Sequence, residues 1–362
     1  MKLVNAAPAR RCLRRLREHS WTPVQRATVI AALAIVMGSL FVASYSLALG
    51  DPVPRHIDTA LIGHRAGDAR TISAVEGVAR HSLVFRRYAT ASAARLAIDQ
   101  QKIYAALDLA SPRPTLYVAS AAGTSVARVL EGIYAVDPAV RVVDVHPVAP
   151  DDPNGLDIFY LMLVTTIIGF ITVFQVRALA GNLELRHHIS FVIGLALVAS
   201  LVLTLVDGPL LHRPAGLYPE EWGILALQLL AVSSFSSLMA VLIGRWAMIP
   251  TWLFFVILGN ASSGGAVSPP LLPQPFAFLS QWLPSGATVT ALRNAIYFPD
   301  YQHIRPLLVL GVWSFGLFVV WLLFARRRLA GETTVSRAGT DARRRWSHRS
   351  PIAGDVESPR RA

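Results

Sequence analysis

The sequence predicts a polytopic α-helical membrane protein: six spans, an α/β extracytoplasmic domain between the first and second, and a re-entrant-like segment before the last. Three observations predict it. Of the 362 residues, 53% are hydrophobic and only 15% are charged, where average soluble domains carry about 25% charged residues. The apolar residues collect in runs long enough to cross a hydrocarbon core of about 30 Å. The basic residues collect beside those runs, the placement that sets orientation in a bilayer.

Dividing the charge sharpens the third point. Residues 1–27 hold seven basic side chains and one acidic; residues 326–362 hold ten and four, so each end supplies +6 of the formal +12. The remainder holds 17 of each sign and is neutral. A nucleic-acid partner would want a basic face on a recognition fold, and none is expected. Membrane lipids with anionic headgroups are the expected partners of such flanks. Cys12 is the only cysteine, which excludes an intramolecular disulfide and a paired-cysteine metal site.

Taken in order, a basic cytoplasmic leader (1–27) precedes the first span (28–49). Thr22, Pro23 and Gln25 give that span a capping-box start with proline at the first helical position. A cleaved signal peptide competes, since Ser46–Leu47–Ala48 is a small–x–small triplet. The long leader and the length of the run favour an uncleaved anchor.

Residues 51–156 change character, with 11 basic and 11 acidic side chains. Apolar stretches at Thr59–Gly63, Thr115–Ala119 and Val140–Val145 read as strands. Helical spacing covers Ala91–Leu107 and Ser125–Tyr134.

A five-span membrane domain follows over 157–325. Its spans read Ile158–Val176, Ile189–Val206, Gly223–Ile243, a short run at Met248–Gly259, and Leu307–Ala325. Arg177, Arg186, Arg245 and Arg326–Arg328 then share the cytoplasmic side with both termini. Asp207, Glu220 and Glu221 outnumber Arg213 in an outer loop. The protein is thus expected in a bacterial plasma membrane, multi-pass, with 51–156 outside. The basic tail (326–362) lacks hydrophobic periodicity and reads as disordered.

The most unusual segment lies before the last span, "GNASSGGAVSPPLLPQPFAFLSQWLPSGATVTALRNAIYF" from Gly259 to Phe298. Its glycines free the backbone and Pro269, Pro270, Pro273 and Pro275 forbid a continuous helix, yet it stays apolar. Broken backbone enters a membrane only under cover of protein or a wet cavity. The segment reads either as a re-entrant element ending in an amphipathic helix near Thr288–Phe298, or as an apolar loop on the headgroups. Asn260, Ser262, Ser263, Gly264, Gly265, Trp282 and Arg293 are the candidate gate or path residues. Arg293 faces either an anionic group or simple interfacial anchoring. Ser233, Ser234, Ser236 and Ser237 favour close helix packing over a polar route.

Motifs for chemistry are missing. The only lysines are Lys2 and Lys102, and neither follows a phosphate-binding loop. No HExxH or GxSxG sequence occurs, and His187–His188 lacks partner ligands. No catalytic, cofactor-binding or metal-binding residue is assigned, and the chain is not expected to be an enzyme.

One span, a large outer domain, and five spans with a broken segment before the last resemble the membrane subunits of type-2 ABC transporters. The segment from Asn260 to Phe298, with "LYVASAAG" and "DVHPVAPDDPNGLDIFY", is similar to the bacterial phage-infection-protein-like branch of that superfamily. The resemblance covers most of residues 25–325. It implies a permease subunit that exports an amphipathic or envelope-related substrate. It also implies a separate ATP-binding subunit and a homodimer or heterodimer of permease subunits. The gate would be Gly259–Phe298, and a coupling element would sit near Arg177–His188. The alternative is a non-transporting cell-envelope receptor or organising protein acting through its outer domain.

Overall fold

The computed structural model describes residues 22–63, 68–79, 82–135, 140–180, 183–211, 213 and 216–347. Cys12, most of the basic leader and residues 348–362 lie outside them. The architecture is mostly helical, with several long apolar helices and one small mixed β sheet.

Helix α1 (Pro23–Leu49) starts at the capping box, where Thr22 and Gln25 exchange hydrogen bonds. It then runs apolar on all sides. Ala48 is its one buried residue, and Ile35 is 69% exposed. A helix that offers such surface all round is built for an apolar solvent.

The chain next forms β1 (Ile57–Ile62), α2 (Asp68–Ala79), β2 (Leu83–Tyr88), α3 (Ala91–Asp99), β3 (Ala105–Asp108), β4 (Thr115–Val118), α4 (Thr124–Tyr134) and β5 (Arg141–Asp144). The sheet order is β2-β1-β3-β4-β5, and only β3 and β4 pair antiparallel. Alternation along the strands splits the core in two. Ile57, Leu107 and Leu116 pack under α2 and α4, whereas Ala60, Ile62 and Ala106 pack under α3. Helical spacing carries α3 on to Leu107. The chain turns at Gln100 instead, and 105–108 is a strand buried on both faces, whose unbroken apolar run hides its period. The α2 helix and β2 show no clear period and are not legible in the sequence.

The remaining helices form a bundle: α5 (Asp157–Leu179), α6 (Leu185–Leu210), α7 (Pro219–Ile243), α8 (Met248–Trp252) running into a π-helical stretch (Leu253–Asn260), α9 (Gln274–Ser280), α10 (Pro284–Tyr297) and α11 (Ile304–Ser347). Among the described residues, α1, α5, α6, α7 and α11 are long and apolar enough to cross a membrane; Met248–Asn260 is a shorter apolar helix. The α7 helix is the axle, packed against α5, α6, α10 and α11. Gly169 lets α5 approach it: a Cβ there would lie 2.9 Å from Val232. Ser233 and Ser236 are buried and bond to backbone carbonyls of Gly169 and Val232, the close-packing role.

Two expectations need correction. The tail read as disordered continues α11 as helix to Ser347, in keeping with its helix-forming Ala, Arg and Leu residues. The expected outer loop begins and ends in helix, at 207–210 and 219–221, with Asp207 and Glu221 buried against Arg213.

Candidate functional site

The broken segment forms a helical hairpin wedged into the end of the bundle that carries the α/β domain. Its descending arm is α9, with Phe278 61% exposed on its outer side. The ascending arm is α10, which begins at Pro284 rather than near Thr288. It is buried on nearly every face, so the expected amphipathic helix is a core helix. Gly286 makes the tight turn possible, because a Cβ there would sit 2.0 Å from the Ser280 carbonyl oxygen.

Two contacts fix the depth of the hairpin, and a third braces the glutamine that makes one of them. Trp313 Nε1 donates to the Trp282 carbonyl at 2.8 Å, Gln228 Nε2 donates to Thr166 Oγ1 at 3.2 Å, and Thr288 Oγ1 donates to Gln228 Oε1 at 3.0 Å. Thr166, Gln228 and Trp313 each lie nine residues inside the first residue of their helix, which at 1.5 Å per residue is roughly 13 Å. The hairpin tip reaches at least that far into the bundle. Ser285 meets the π-helical stretch there, 2.7 Å from where a Gly259 Cβ would stand.

Away from its tip, the segment is tied to the α/β domain. Leu271 completes the core under α2 and α4, and Phe298 completes the core under α3. Arg55 donates to the carbonyls of Pro270 and Leu272, each at 2.9 Å. Ser125 Oγ and Ser268 Oγ are 2.9 Å apart. Any tilt of the domain must therefore move the hairpin.

Six of the seven sequence-selected residues gather at this joint. Asn260 ends the π-helical stretch beside Tyr45 of α1. Ser262 and Ser263 turn inward, bonding to the carbonyls of Leu258 and Asn260. Gly264 takes φ +75°, a conformation that favours glycine. Gly265 lies against Phe159, whose Cβ would be 2.8 Å from an added Cβ. Arg293, 8% exposed, reaches across from α10 and donates to the Gly264 carbonyl at 3.1 Å. Trp282 stands apart: it is half-exposed near the hairpin tip, with Arg305 over its ring at 5.1 Å.

Two features of the joint bear on function. The side-chain amide of Asn294 and the hydroxyl of Ser285 are buried without hydrogen-bond geometry to any described residue, whereas the Asn260 amide lies beside the Tyr45 hydroxyl. Unpaired buried polar groups cost about 1–3 kcal/mol each and in native proteins call for an explanation. Second, a cleft of about 600 Å³ opens between the domain and the hairpin, with Tyr104 and Arg293 in its wall. Burial raises the Tyr104 phenol above its ordinary pKa, and the Arg293 charge partly opposes that rise.

Sequence reasoning missed the acidic cluster nearby. Arg213 pairs with Asp207 and, at 2.7 Å, with Glu221, while Asp157 adjoins Asp207. The signal was present as one arginine between two acids at the mouths of apolar runs, but charge counting placed all three in solvent. The His188 ring packs 5.1 Å from Trp321. At the opposite end of the bundle, Glu184 and Arg186 form an exposed ion pair at 2.6 Å.

No family model matches this sequence, and neither a curated protein nor a solved structure matches it.

Proposed function

We propose that the chain is the membrane subunit of an exporter for an amphipathic, envelope-related molecule, energised by a separate ATP-binding subunit and paired with a second permease subunit. The chain performs no chemistry of its own. In this reading it makes six passes, with Met248–Asn260 as the short one. Both termini are cytoplasmic, and the domain over 51–156 faces outward. The observation that carries it is the hairpin α9–α10. A buried, broken element with the unpaired Asn294 amide and Ser285 hydroxyl is held between an outer domain and the bundle, so that movement of one opens the other. Polar groups left unpaired inside an apolar bundle suit a route that is polar only while something passes.

One observation favours the alternative of a non-transporting receptor or organising protein. Between Leu179 and Leu185 no separate helix occurs among the described residues, which leaves little surface for an ATP-binding subunit.

The test compares export in cells lacking the chain and in cells complemented with variants matched for membrane abundance. Gly265→Val drives a branched side chain into Phe159 and is expected to abolish export. The purified chain alone is expected to hydrolyse no ATP above background, and activity is expected only with the co-purified partner. Full export by the Gly265→Val variant rejects the hairpin as the gate. A deletion phenotype with no altered flux of any envelope component favours the organising protein.

A further inference from the structure

The cleft between the outer domain and the hairpin carries an uncompensated positive charge. Lys102 of the domain, Arg293 of α10 and Arg305 at the start of α11 all line it. Asp58 is the one carboxylate in its wall, and Asp58 is engaged by Arg86 at 2.8 Å. Among the described residues none of the three cations has an acidic partner.

Arg293 distinguishes this cleft from an ordinary basic surface. Its guanidinium is buried, yet its one hydrogen bond among the described residues is to the Gly264 carbonyl. A buried charge without a counter-ion is costly, and a guanidinium has five donors in a planar fork. Arg293 forms part of the cleft wall, so donors beyond that bond are within reach of a ligand there. Around the mouth, Arg305 donates to the Gln281 side chain at 3.2 Å and lies over the Trp282 ring. Trp282 and Phe278 continue from there as an exposed apolar strip along α9, 50% and 61% accessible.

We propose that this cleft binds the phosphate of an amphiphile, with Arg293 as the buried fork, Lys102 and Arg305 as rim charges, and the apolar strip of α9 beside the chain. A planar fork matches phosphate oxygens in pairs, and a lysine adds a point charge. A neutral or cationic headgroup would leave Arg293 uncompensated. The proposal deepens the export reading by naming its substrate class, and it rests on that reading for every step after binding; binding itself is measured without energy or partner.

The full chain, purified in a neutral detergent, is titrated with dihexanoyl phosphatidic acid, with the uncharged dihexanoylglycerol, and with inorganic phosphate. Phosphatidic acid is expected to bind and dihexanoylglycerol to bind at least tenfold more weakly. Arg293→Gln is expected to weaken phosphatidic acid at least tenfold, and Arg293→Lys to recover part of the loss. The rim pair Lys102→Ala/Arg305→Ala lies on exposed side chains, tolerates substitution in the fold, and is expected to weaken binding several-fold. If inorganic phosphate binds as tightly as phosphatidic acid, the anion site stands and the apolar strip is no part of it. Phosphatidic acid binding left unchanged by both Arg293→Gln and the rim pair overturns the proposal. Intact binding with no export in cells removes the export reading alone, and export with no phosphatidic acid binding removes the site alone.

Discussion

Two arginines stand near the end of the bundle that carries the α/β domain, in opposite surroundings. Arg213 lies against Tyr218, 4.2 Å from the ring centre, and pairs with Asp207 and Glu221, each 1% accessible in its side chain. Arg293 is more deeply held but meets a backbone carbonyl and no carboxylate among the described residues. At the first site the acids outnumber the base, and the arginine is what makes their burial tolerable. At the second the arginine itself is the surplus. Charge that is matched inside a protein holds the fold together; charge left unmatched beside an open cleft is kept for something that arrives.

Removing each arginine should give opposite results, and this is the largest expected effect. Arg213→Ala leaves two buried carboxylates without their cation, a loss of about 3–5 kcal/mol for a broken buried pair. Thermal unfolding of the purified variant should show a large drop or a failure to accumulate folded protein. Arg293→Met removes a charge with no partner and forfeits one hydrogen bond, a change of about 1 kcal/mol or less. Its unfolding midpoint should stay near wild type while binding in the cleft is lost. Equal destabilisation by the two would break the comparison, because it would require a structural counter-ion at Arg293.

The joint that separates the two sites can be probed next. Gly264 holds φ +75° and its carbonyl positions Arg293. Gly264→Ala puts a Cβ 3.0 Å from Pro269 Cγ in a left-handed backbone, at about 1–2 kcal/mol. The unfolding midpoint should fall moderately, and cleft binding should fall with it. The reverse comparison uses Gly216, before α7 near Arg213, where an added Cβ meets nothing within 4 Å. Gly216→Ala should leave both quantities near wild type. A Gly264→Ala variant with unchanged stability and binding would separate Arg293 from the turn that holds it.

Much of the bundle was legible in the sequence because a long apolar run has few alternatives to a buried or lipid-facing helix. The run 28–49 lies inside α1, and 307–325 lies inside α11. Strands β1, β4 and β5 overlap the stretches read as strands, since each is short, apolar and bounded by turn residues. What could not be read depends on contacts between distant residues. Leu271 and Phe298 look like interfacial side chains in the sequence but belong to the two cores of the α/β domain. Composition marked the segment from Gly259 to Phe298 as broken, but only packing against Gln228 and Trp313 makes it a hairpin of definite depth. Asp207 and Glu221 escape a sequence reading for the same reason, since a charge at the end of an apolar run is exposed or buried according to its partner.

The smallest effect is expected at Trp282, and it tests whether the cleft extends to the hairpin tip. Sequence alone groups Trp282 with Asn260 and the glycines. In the fold its ring is half-exposed, and its structural contact is made by its carbonyl, which accepts from Trp313 Nε1. A substitution leaves that carbonyl in place. Trp282→Ala should therefore cost about 1 kcal/mol or less, little beyond the exposed contact it removes. What it does remove is the face under Arg305, a cation–π contact of about 0.5–1 kcal/mol at an exposed site. Freed of the ring, Arg305 is less fixed at the cleft mouth, so phosphatidic acid binding should weaken by about twofold, and inorganic phosphate binding should change less. A loss as large as that of Arg293→Gln would make the indole part of the anion site itself. An unchanged affinity would confine the site to Arg293 and Lys102, with the apolar strip of α9 left facing lipid.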